Sequence, residues 1–209
     1  MTDVSPMSES PVVDARLPIR GEWLPLDHGY ALLGAVARVV PAIHGRKQWG
    51  LHTVRGERCD GQRLRLHGGS AIQIRLPADD IKELFPLIGC NLAVGGQSLT
   101  VGGIEVAPLQ PAARLVARIV TIKGFQEPEP FRDAARKQLS VISIGQDPER
   151  VELTVGKRRV MRIHDKTVVG FQVWLHGLDS AASLAIQRTG LGGRRHMGAG
   201  LFVPVQRMR

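Results

Sequence analysis

A glycine-rich, basic segment near the end of the chain combines residue types that bind phosphate. Two Gly-x-Gly pairs enclose a basic insert over residues 190–200, which read GLGGRRHMGAG. Glycine permits positive φ angles, and successive backbone N–H groups in such a turn can form an anion-binding concavity. Arginine adds forked, charge-assisted donors. The segment therefore predicts a loop that holds a phosphodiester backbone, with these candidate contacts: Gly192, Gly193, Arg194, Arg195 and His196.

Two other interpretations of this loop remain open. A tight turn without any ligand has the same composition. The dinucleotide-binding fingerprint fits less well, because that motif follows a strand and opens a helix, whereas an apolar, strand-like run follows this loop at residues 201–205. Arg195 also stands where that fingerprint needs its third glycine, and the loop has no Gly-Lys-Ser/Thr ending of the P-loop kind.

The excess positive charge of the chain lies entirely in its second half. Residues 1–112 contain 11 basic and 11 acidic residues, whereas residues 113–209 contain 17 basic and 8 acidic ones, a net charge of +9. Such an asymmetry is typical of a nucleic-acid-binding surface. A basic turn over residues 156–159 is predicted to connect two strands as a hairpin, with these candidate RNA contacts: Lys157, Arg158, Arg159, Arg162 and Lys166.

Composition excludes several other classes of protein. The two cysteines, Cys59 and Cys90, are far apart and have no zinc-ligand spacing, so no metal site is predicted. No apolar run approaches the roughly 20 residues that span a bilayer, and the polar residues 1–10 have no signal-peptide core. We expect a cytoplasmic protein with no membrane association and a disordered N-terminus over residues 1–10.

The pattern of strands and helices along the chain indicates two similar halves. In each half a strand, a helix, two strands, a second helix and a last strand follow one another. This β-α-β-β-α-β order is typical of the ferredoxin-like arrangement. The predicted fold class is α+β, with two tandem ferredoxin-like domains over residues 11–110 and 111–209. Asp27 is the predicted N-cap of the first helix, Pro41 is predicted to end or bend that helix, and residues 77–88 are the predicted second helix.

The terminal loop carries a more specific resemblance. Residues 190–200 fit the pattern Gly-apolar-Gly, five residues, Gly-apolar-Gly without a gap. A doubled ferredoxin-like chain that ends in this loop resembles the CRISPR-associated repeat RNA endoribonucleases of the RAMP superfamily, and residues 121–125 and 190–205 resemble myxobacterial-type members. The resemblance implies an RRM-like fold in each half. It also implies binding of CRISPR repeat RNA, both precursor and mature guide RNA, and contact with other subunits of a CRISPR ribonucleoprotein.

The resemblance also implies a reaction without metal or cofactor. The ribose 2′-OH attacks its own phosphate, which leaves 2′,3′-cyclic phosphate and 5′-OH ends. Histidine can act as the acid and the base near neutral pH, and cations stabilise the phosphorane. Residues 26–44 resemble the region that carries the catalytic histidine in many members. His44 is therefore the first candidate catalyst, Lys47 the nearby cation, His28 the second candidate and His52 the third.

Spacing along the first helix limits these candidates. If the helix were straight, 16 residues would separate His28 from His44 by roughly 24 Å. The two could then not serve one phosphate unless the bend at Pro41 brings them together, and one of them is expected to be structural. Two alternatives to a nuclease remain. One is a non-cleaving RNA-binding RAMP subunit of a CRISPR effector complex, and the other is a general basic RNA-binding module.

Overall fold

The computed structural model describes residues 10–142 and 150–205, so all but the last residue of the predicted disordered segment 1–10 lies outside the described residues. The described chain is a mixed α+β protein whose paired strands are antiparallel. Its elements, in chain order, are β1 (Val12–Arg20), β2 (Trp23–Pro25), α1 (Gly29–Val39), β3 (Gly50–Leu51), β4 (Glu57–Arg58), β5 (Arg63–Arg65), β6 (Ala71–Pro77), β7 (Asn91–Val94), β8 (Gln97–Val101), β9 (Glu105–Pro108), β10 (Arg114–Val120), α2 (Pro128–Ile142), β11 (Glu152–Ile163), β12 (Lys166–His176), α3 (Ser180–Thr189) and β13 (Phe202–Pro204).

The first half is built on a sheet whose strand order is β3-β6-β1-β8-β7, with β9 also paired to β1. Strand β1 is its centre. The side chains of β1 alternate between buried and partly exposed positions, as expected when one face of a strand covers a core. The small strands β2, β5 and β4 form a separate three-stranded sheet.

Proline determines the ends and the type of the helical segments in the first half. Helix α1 ends at Val39, and Pro41 begins a 3-10 turn over Pro41–His44. The predicted N-cap is wrong, because His28 occupies that position and no side chain caps the helix there. The predicted second helix is also not α-helical: Ala78–Leu87 is a 3-10 segment. Pro86 lies inside it, and its ring nitrogen cannot donate to the backbone.

The second half has a four-stranded sheet with the order β11-β12-β10-β13. Helix α2 buries Phe131, Ala135 and Leu139, which are spaced four residues apart and so lie on one face. Helix α3 begins at Asp179, whose side chain accepts a hydrogen bond of 2.7 Å from the Ala182 N–H. Both helices contact the core that this sheet covers.

The structure corrects the predicted position of the basic hairpin turn. Residues 156–159 lie inside the continuous strand β11, where the pairing with β12 shifts register between Val155 and Arg158. Gly156 therefore marks a β-bulge, which is the other common meaning of a glycine within a strand pattern. The turn itself is at His164–Asp165, because Ile163 pairs with Lys166.

A buried arginine connects the two large apolar cores of the described chain. All buried residues of the first large apolar cluster lie between residues 13 and 101, and all those of the second lie between 115 and 202. Arg75 of β6 is fully buried. It binds the carboxylate of Asp14 at 2.8 Å and donates to the carbonyl oxygens of Gln187 and Phe202 at 2.9 and 2.7 Å. Arg75 therefore connects the first sheet to α3 and β13.

Candidate active site

An open groove of about 460 Å³ runs along α1 and contains His44. Tyr30, Gly34 and Arg38 line it from the helix, at a spacing of four residues that places them on one face. A Cβ atom added to Gly34 would meet no atom of the described residues within 4 Å, so these residues leave the floor of the groove open there. A histidine, a phenol and a guanidinium thus share one accessible surface.

The turn after α1 fixes the position of His44. Pro41 begins this 3-10 turn, Ile43 is buried beneath it, and the N–H of Gly45 donates to the Ala42 carbonyl oxygen at 3.0 Å. His44 follows the buried Ile43 directly and is exposed. The groove therefore presents this imidazole to solvent from a backbone that is anchored in the core.

His28 has different surroundings, because both of its ring nitrogens are engaged by the backbone. The N–H of Val54 donates to Nε2 at 2.9 Å, so Nδ1 carries the proton and donates to the Pro25 carbonyl oxygen at 2.8 Å. Burial lowers the pKa of His28, although the hydrogen bond to Pro25 opposes the shift. The ring lines a different groove from that of His44, and the structure does not bring the two together.

Lys47 lines a different groove from His44. It is exposed and lines a groove with Asp79, Asp80 and Arg195. His52, the third histidine candidate, lies 4.0 Å from Asp14. Burial and the nearby charge of Arg75 lower the pKa of His52 to about 3. Among the three sequence-predicted histidines, only His44 shares a groove with Tyr30 and Arg38.

Most backbone N–H groups of the glycine loop, residues 190–200, donate hydrogen bonds to other groups of the protein. The N–H of Gly192 donates to the Gln138 side chain at 2.7 Å, and the N–H of Gly193 donates to the Thr121 carbonyl oxygen at 3.0 Å. Four glycines of the loop have positive φ: Gly190, Gly192, Gly198 and Gly200. The glycines thus serve close packing of the loop against α2 and the end of β10.

The two arginines of the loop point to different surroundings. The half-buried guanidinium of Arg195 donates to the carbonyl oxygens of Thr189, of Arg188 at 2.8 Å and of Gln48 at 3.3 Å. It therefore caps the C-terminus of α3 and joins it to the segment after His44. His196 donates from Nε2 to the Arg46 carbonyl oxygen at 2.9 Å. Arg194 is exposed.

A second groove, of about 650 Å³, gathers cations from the second half. Lys123, Lys166 and Arg194 line it together with Gly192 and Gly193. On β11, Arg158 and Arg162 lie four residues apart on one exposed strand face, and Lys157 is also exposed. Arg159 is half-buried. The described residues include no cluster of His, Cys, Asp or Glu side chains that could hold a metal ion.

Comparison with protein families decides how this arrangement is to be understood. The family model described as Cas6, a CRISPR family, matches residues 13–207, which is nearly the whole chain. The chain belongs to the Cas6 family. A curated relative, the CRISPR-associated endonuclease Cas6 of Myxococcus xanthus strain DK1622, is 38% identical over 192 residues and is matched over 92% of this chain and 81% of its own. The predicted family resemblance is confirmed.

Solved structures agree with the Cas6 assignment at the level of the fold. A protein described as a RAMP protein that binds different RNA substrates superposes with a TM-score of 0.70 at 13% identity, over 93% of this chain and 100% of its own. A Cas6-related protein from Pyrococcus furiosus gives a TM-score of 0.65 at 11% identity, over 94% and 100%. In the described part of this Cas6 chain no helix has the length and hydropathy of a bilayer-spanning segment.

Three residues of these grooves were not singled out from the sequence of this Cas6 protein. Tyr30 and Arg38 could have been found, because with Gly34 they repeat every four residues along a predicted helix. Lys123 lies in the turn after β10 and gave no such signal. Lys123 and Arg194 line one groove although they are about 70 residues apart in the sequence. Only the fold brings them together.

Proposed function

We propose that this protein is an endoribonuclease that cleaves CRISPR repeat RNA within precursor transcripts to release guide RNAs. Its Cas6 membership and the endonuclease name of the 38% identical relative support this function. The observation that carries it is the groove in which the exposed His44 lies with Tyr30 and Arg38. A groove with an acid–base side chain and a cation has the residue types for transesterification of a phosphodiester.

The proposed reaction uses the 2′-OH of the RNA as its own nucleophile. Its oxygen attacks the adjacent phosphorus, the P–O5′ bond breaks, and the products carry a 2′,3′-cyclic phosphate and a 5′-OH. His44 would transfer a proton to or from one of these oxygens, and Arg38 would stabilise the charge of the phosphorane. No metal takes part. We place His28 in a structural role, because its hydrogen bonds to Pro25 and Val54 leave neither ring nitrogen available.

Lys47, which the sequence predicts as the cation beside His44, lines a different groove from His44. Its groove is separated from that of His44 by the 44–47 segment, so RNA that extends past this segment would be needed to reach both. Arg46, whose guanidinium is 3.7 Å from Asp80, shares the groove of Lys47. We propose that Lys47 contacts RNA beyond the scissile phosphate.

The basic groove of the second half is the proposed path of the repeat. Arg194, Lys166 and Lys123 offer three cations along it, and Lys157, Arg158 and Arg162 extend the charge along β11. Lysine and arginine that neutralise phosphates make binding strongly dependent on salt. Gly192 and Gly193 permit close approach of RNA to the exposed loop backbone. Arg159 remains a predicted contact at the edge of this surface.

Arg195 and His196 are proposed to support the active site instead of binding RNA. Both donate to carbonyl oxygens of residues 46–48, directly after His44. The same backbone is held from the other side by Trp49, which is fully buried and donates to Asp80 at 2.8 Å. The loop would thereby hold the His44 segment in a fixed position.

The two halves are proposed to be ferredoxin-like domains with a boundary near residue 110. In the second half the strands occur along the chain as β10, β11, β12 and β13, and the sheet order β11-β12-β10-β13 places the first strand between the third and the fourth. In the first half β3-β6-β1-β8 follows the same rule. We propose a cytoplasmic site of action, where precursor transcripts are made, and assembly with other subunits after cleavage.

The decisive experiment uses repeat RNA labelled at its 5′ end, purified protein and EDTA. Wild type should give a single cut that a 2′-deoxyribose at the scissile position abolishes. His44→Ala should lower the cleavage rate by roughly 100-fold or more, the usual contribution of a general acid or base. His67→Ala, at an exposed loop histidine of the first half, is the matched control and should cleave normally.

Other outcomes would replace the proposal. Tight binding of the repeat without any cut indicates a non-catalytic RNA-binding subunit. Comparable binding of unrelated RNAs indicates a general basic RNA-binding module. Cleavage that EDTA abolishes contradicts the proposed chemistry.

A further inference from the structure

His164 occupies a strained position at the tip of the β11–β12 hairpin. It is the first of two residues in the turn, and its φ is +51°. Residues other than glycine seldom adopt positive φ, and two-residue hairpin loops usually place glycine or asparagine there. A histidine at this position costs backbone energy that glycine would not. A histidine at this position therefore points to a role for its side chain.

The imidazole of His164 contacts the phenol of Tyr30 in the groove of His44. A hydrogen bond of 2.5 Å joins the Tyr30 hydroxyl to Nε2 of His164, and the two rings meet edge to face with centroids 4.7 Å apart. Tyr30 is the chain's only tyrosine. This contact links residues 134 positions apart in the sequence, and so it joins the two halves of the molecule.

A second contact holds the hairpin in place over the start of α1. The N–H of Arg162 donates to the carboxylate of Asp27 at 2.7 Å. Asp27 precedes α1 by two residues and Arg162 precedes His164 by two, so the two contacts run side by side. On the other side of the turn, Lys166 lines the basic groove. The five residues from Arg162 to Lys166 thus reach both candidate grooves.

We propose that His164 is a positioning residue that orients the Tyr30 phenol in the groove that also contains His44, and couples it to RNA held by the β11–β12 hairpin. This role rests on the proposed nuclease function. When Nε2 accepts a hydrogen bond from the Tyr30 hydroxyl, the phenol oxygen keeps its lone pairs for the groove, where it can accept a hydrogen bond from the attacking 2′-OH. His164 acts through Tyr30 and needs no contact with the scissile phosphate.

The test exploits the preference of this turn for glycine. His164→Gly removes the imidazole. Because glycine adopts the positive φ of this position without strain, the thermal unfolding temperature of the variant should equal or exceed that of wild type. The single-turnover cleavage rate at saturating protein should fall roughly three- to thirtyfold, the effect of one lost hydrogen bond to a reacting group. The Kd for repeat RNA should change by less than about twofold. Asp165→Gly is the matched control in the same turn and should leave the cleavage rate unchanged.

A double-mutant cycle with Tyr30→Phe separates a positioning role from others. If His164 acts through Tyr30, the double variant should cleave no more slowly than Tyr30→Phe alone. Multiplicative losses, a normal rate in His164→Gly, or a weaker Kd with an unchanged saturating rate would each overturn the proposal. The last of these would make His164 an RNA contact.

A spectroscopic readout distinguishes this proposal from the proposed function. With ¹³Cζ-labelled tyrosine, the protein gives one ring signal, and His164→Gly should shift it in the absence of RNA, whereas Asp165→Gly should not. A wild type that cuts no repeat overturns the nuclease function and this role together. A wild type that cuts, with no shift of the tyrosine signal in His164→Gly, overturns only the role of His164.

Discussion

Two neighbouring arginines show how little the type of a residue says about its role. Arg194 and Arg195 are adjacent in the glycine loop, and both were predicted to bind phosphate. Arg195 donates to three carbonyl oxygens and is half-buried, and burial lowers its pKa to about 10. Arg194 is exposed at a φ of +65° beside Lys166. The backbone of the loop, which reverses direction at this point, turns one side chain inward and the other outward.

Substitution of these two arginines should therefore have opposite consequences. Arg194→Gly suits the positive φ and should leave the free energy of unfolding within about 0.5 kcal/mol of wild type, while it lowers the slope of log Kd against log salt by about one. Arg195→Ala should cost roughly 1–3 kcal/mol, because it removes the hydrogen bonds of a charged donor that cap α3 and hold the segment after His44. Urea unfolding and RNA binding at several salt concentrations measure both effects. An Arg195→Ala protein of normal stability would contradict the capping role.

At the scale of elements, the glycine loop is a packed connection between α3 and β13. Leu191 and Gly200 are hydrogen-bonded across its base, and Gly200 donates to the Ile119 carbonyl oxygen at 2.8 Å. A Cβ on Gly192 would overlap the carbonyl oxygen of Thr121, and one on Gly200 would overlap that of Leu191. The loop therefore depends on glycine for close packing as well as for positive φ.

Gly192 and Gly193 form a matched pair for testing this packing. Gly192→Ala should lower the free energy of unfolding by at least about 1–2 kcal/mol, because the residue has a φ of +70° and a blocked Cβ position. Gly193→Ala should be nearly neutral, because within the described part of the chain a Cβ there meets no atom within 4 Å, and the φ of Gly193 is not positive. Equilibrium urea unfolding of both variants checks the difference. Equal losses in the two variants would show that loop flexibility, not packing, is what matters.

At the scale of the whole molecule, the halves meet around buried titratable groups. Burial alone would raise the pKa of Asp14, but the hydrogen bonds and charge of Arg75 hold it below its usual value. His52 lies against the same pair and His28 lies between Pro25 and Val54, both with lowered pKa values. The folded protein therefore keeps two histidines neutral at pH values at which the unfolded chain would protonate them.

Stability should consequently fall as the pH is lowered from 7.5 to 5. Below a pH of about 6.5 the unfolded chain binds protons at His28 and His52 that the folded state does not bind, so the free energy of unfolding rises with pH in this window. Each histidine contributes at most about 1.4 kcal/mol per pH unit, and for His52 the window extends down to a pH of about 3. Urea unfolding across this range, for wild type and His52→Gln, gives the measurement. The free energy of unfolding of the variant should depend less steeply on pH than that of wild type. Equal slopes would show that His52 does not contribute to the pH dependence.

Much of the scaffold could be read from local patterns. The alternation of β1, the end of α1 before Pro41 and the apolar spacing of α2 each reflect interactions within a few residues, which periodicity and proline chemistry report directly. Cas6 membership was also accessible, because the glycine pattern over residues 190–200 is contiguous. The predictions were wrong where one local sequence pattern is compatible with two structures. Gly156 marked a bulge and not a turn, and residues 78–87 formed a 3-10 segment although their composition suits an α-helix.

The sequence by itself therefore determined the class of elements, the basic character of the second half and the family. Only the tertiary structure decided which side chains share a site. It separated His28 from His44, turned Arg195 toward α3, and placed His164 against Tyr30. These outcomes depend on hydrogen bonds and burial between segments up to about 150 residues apart. No local pattern encodes such contacts, because they exist only after both cores have formed and the halves have docked.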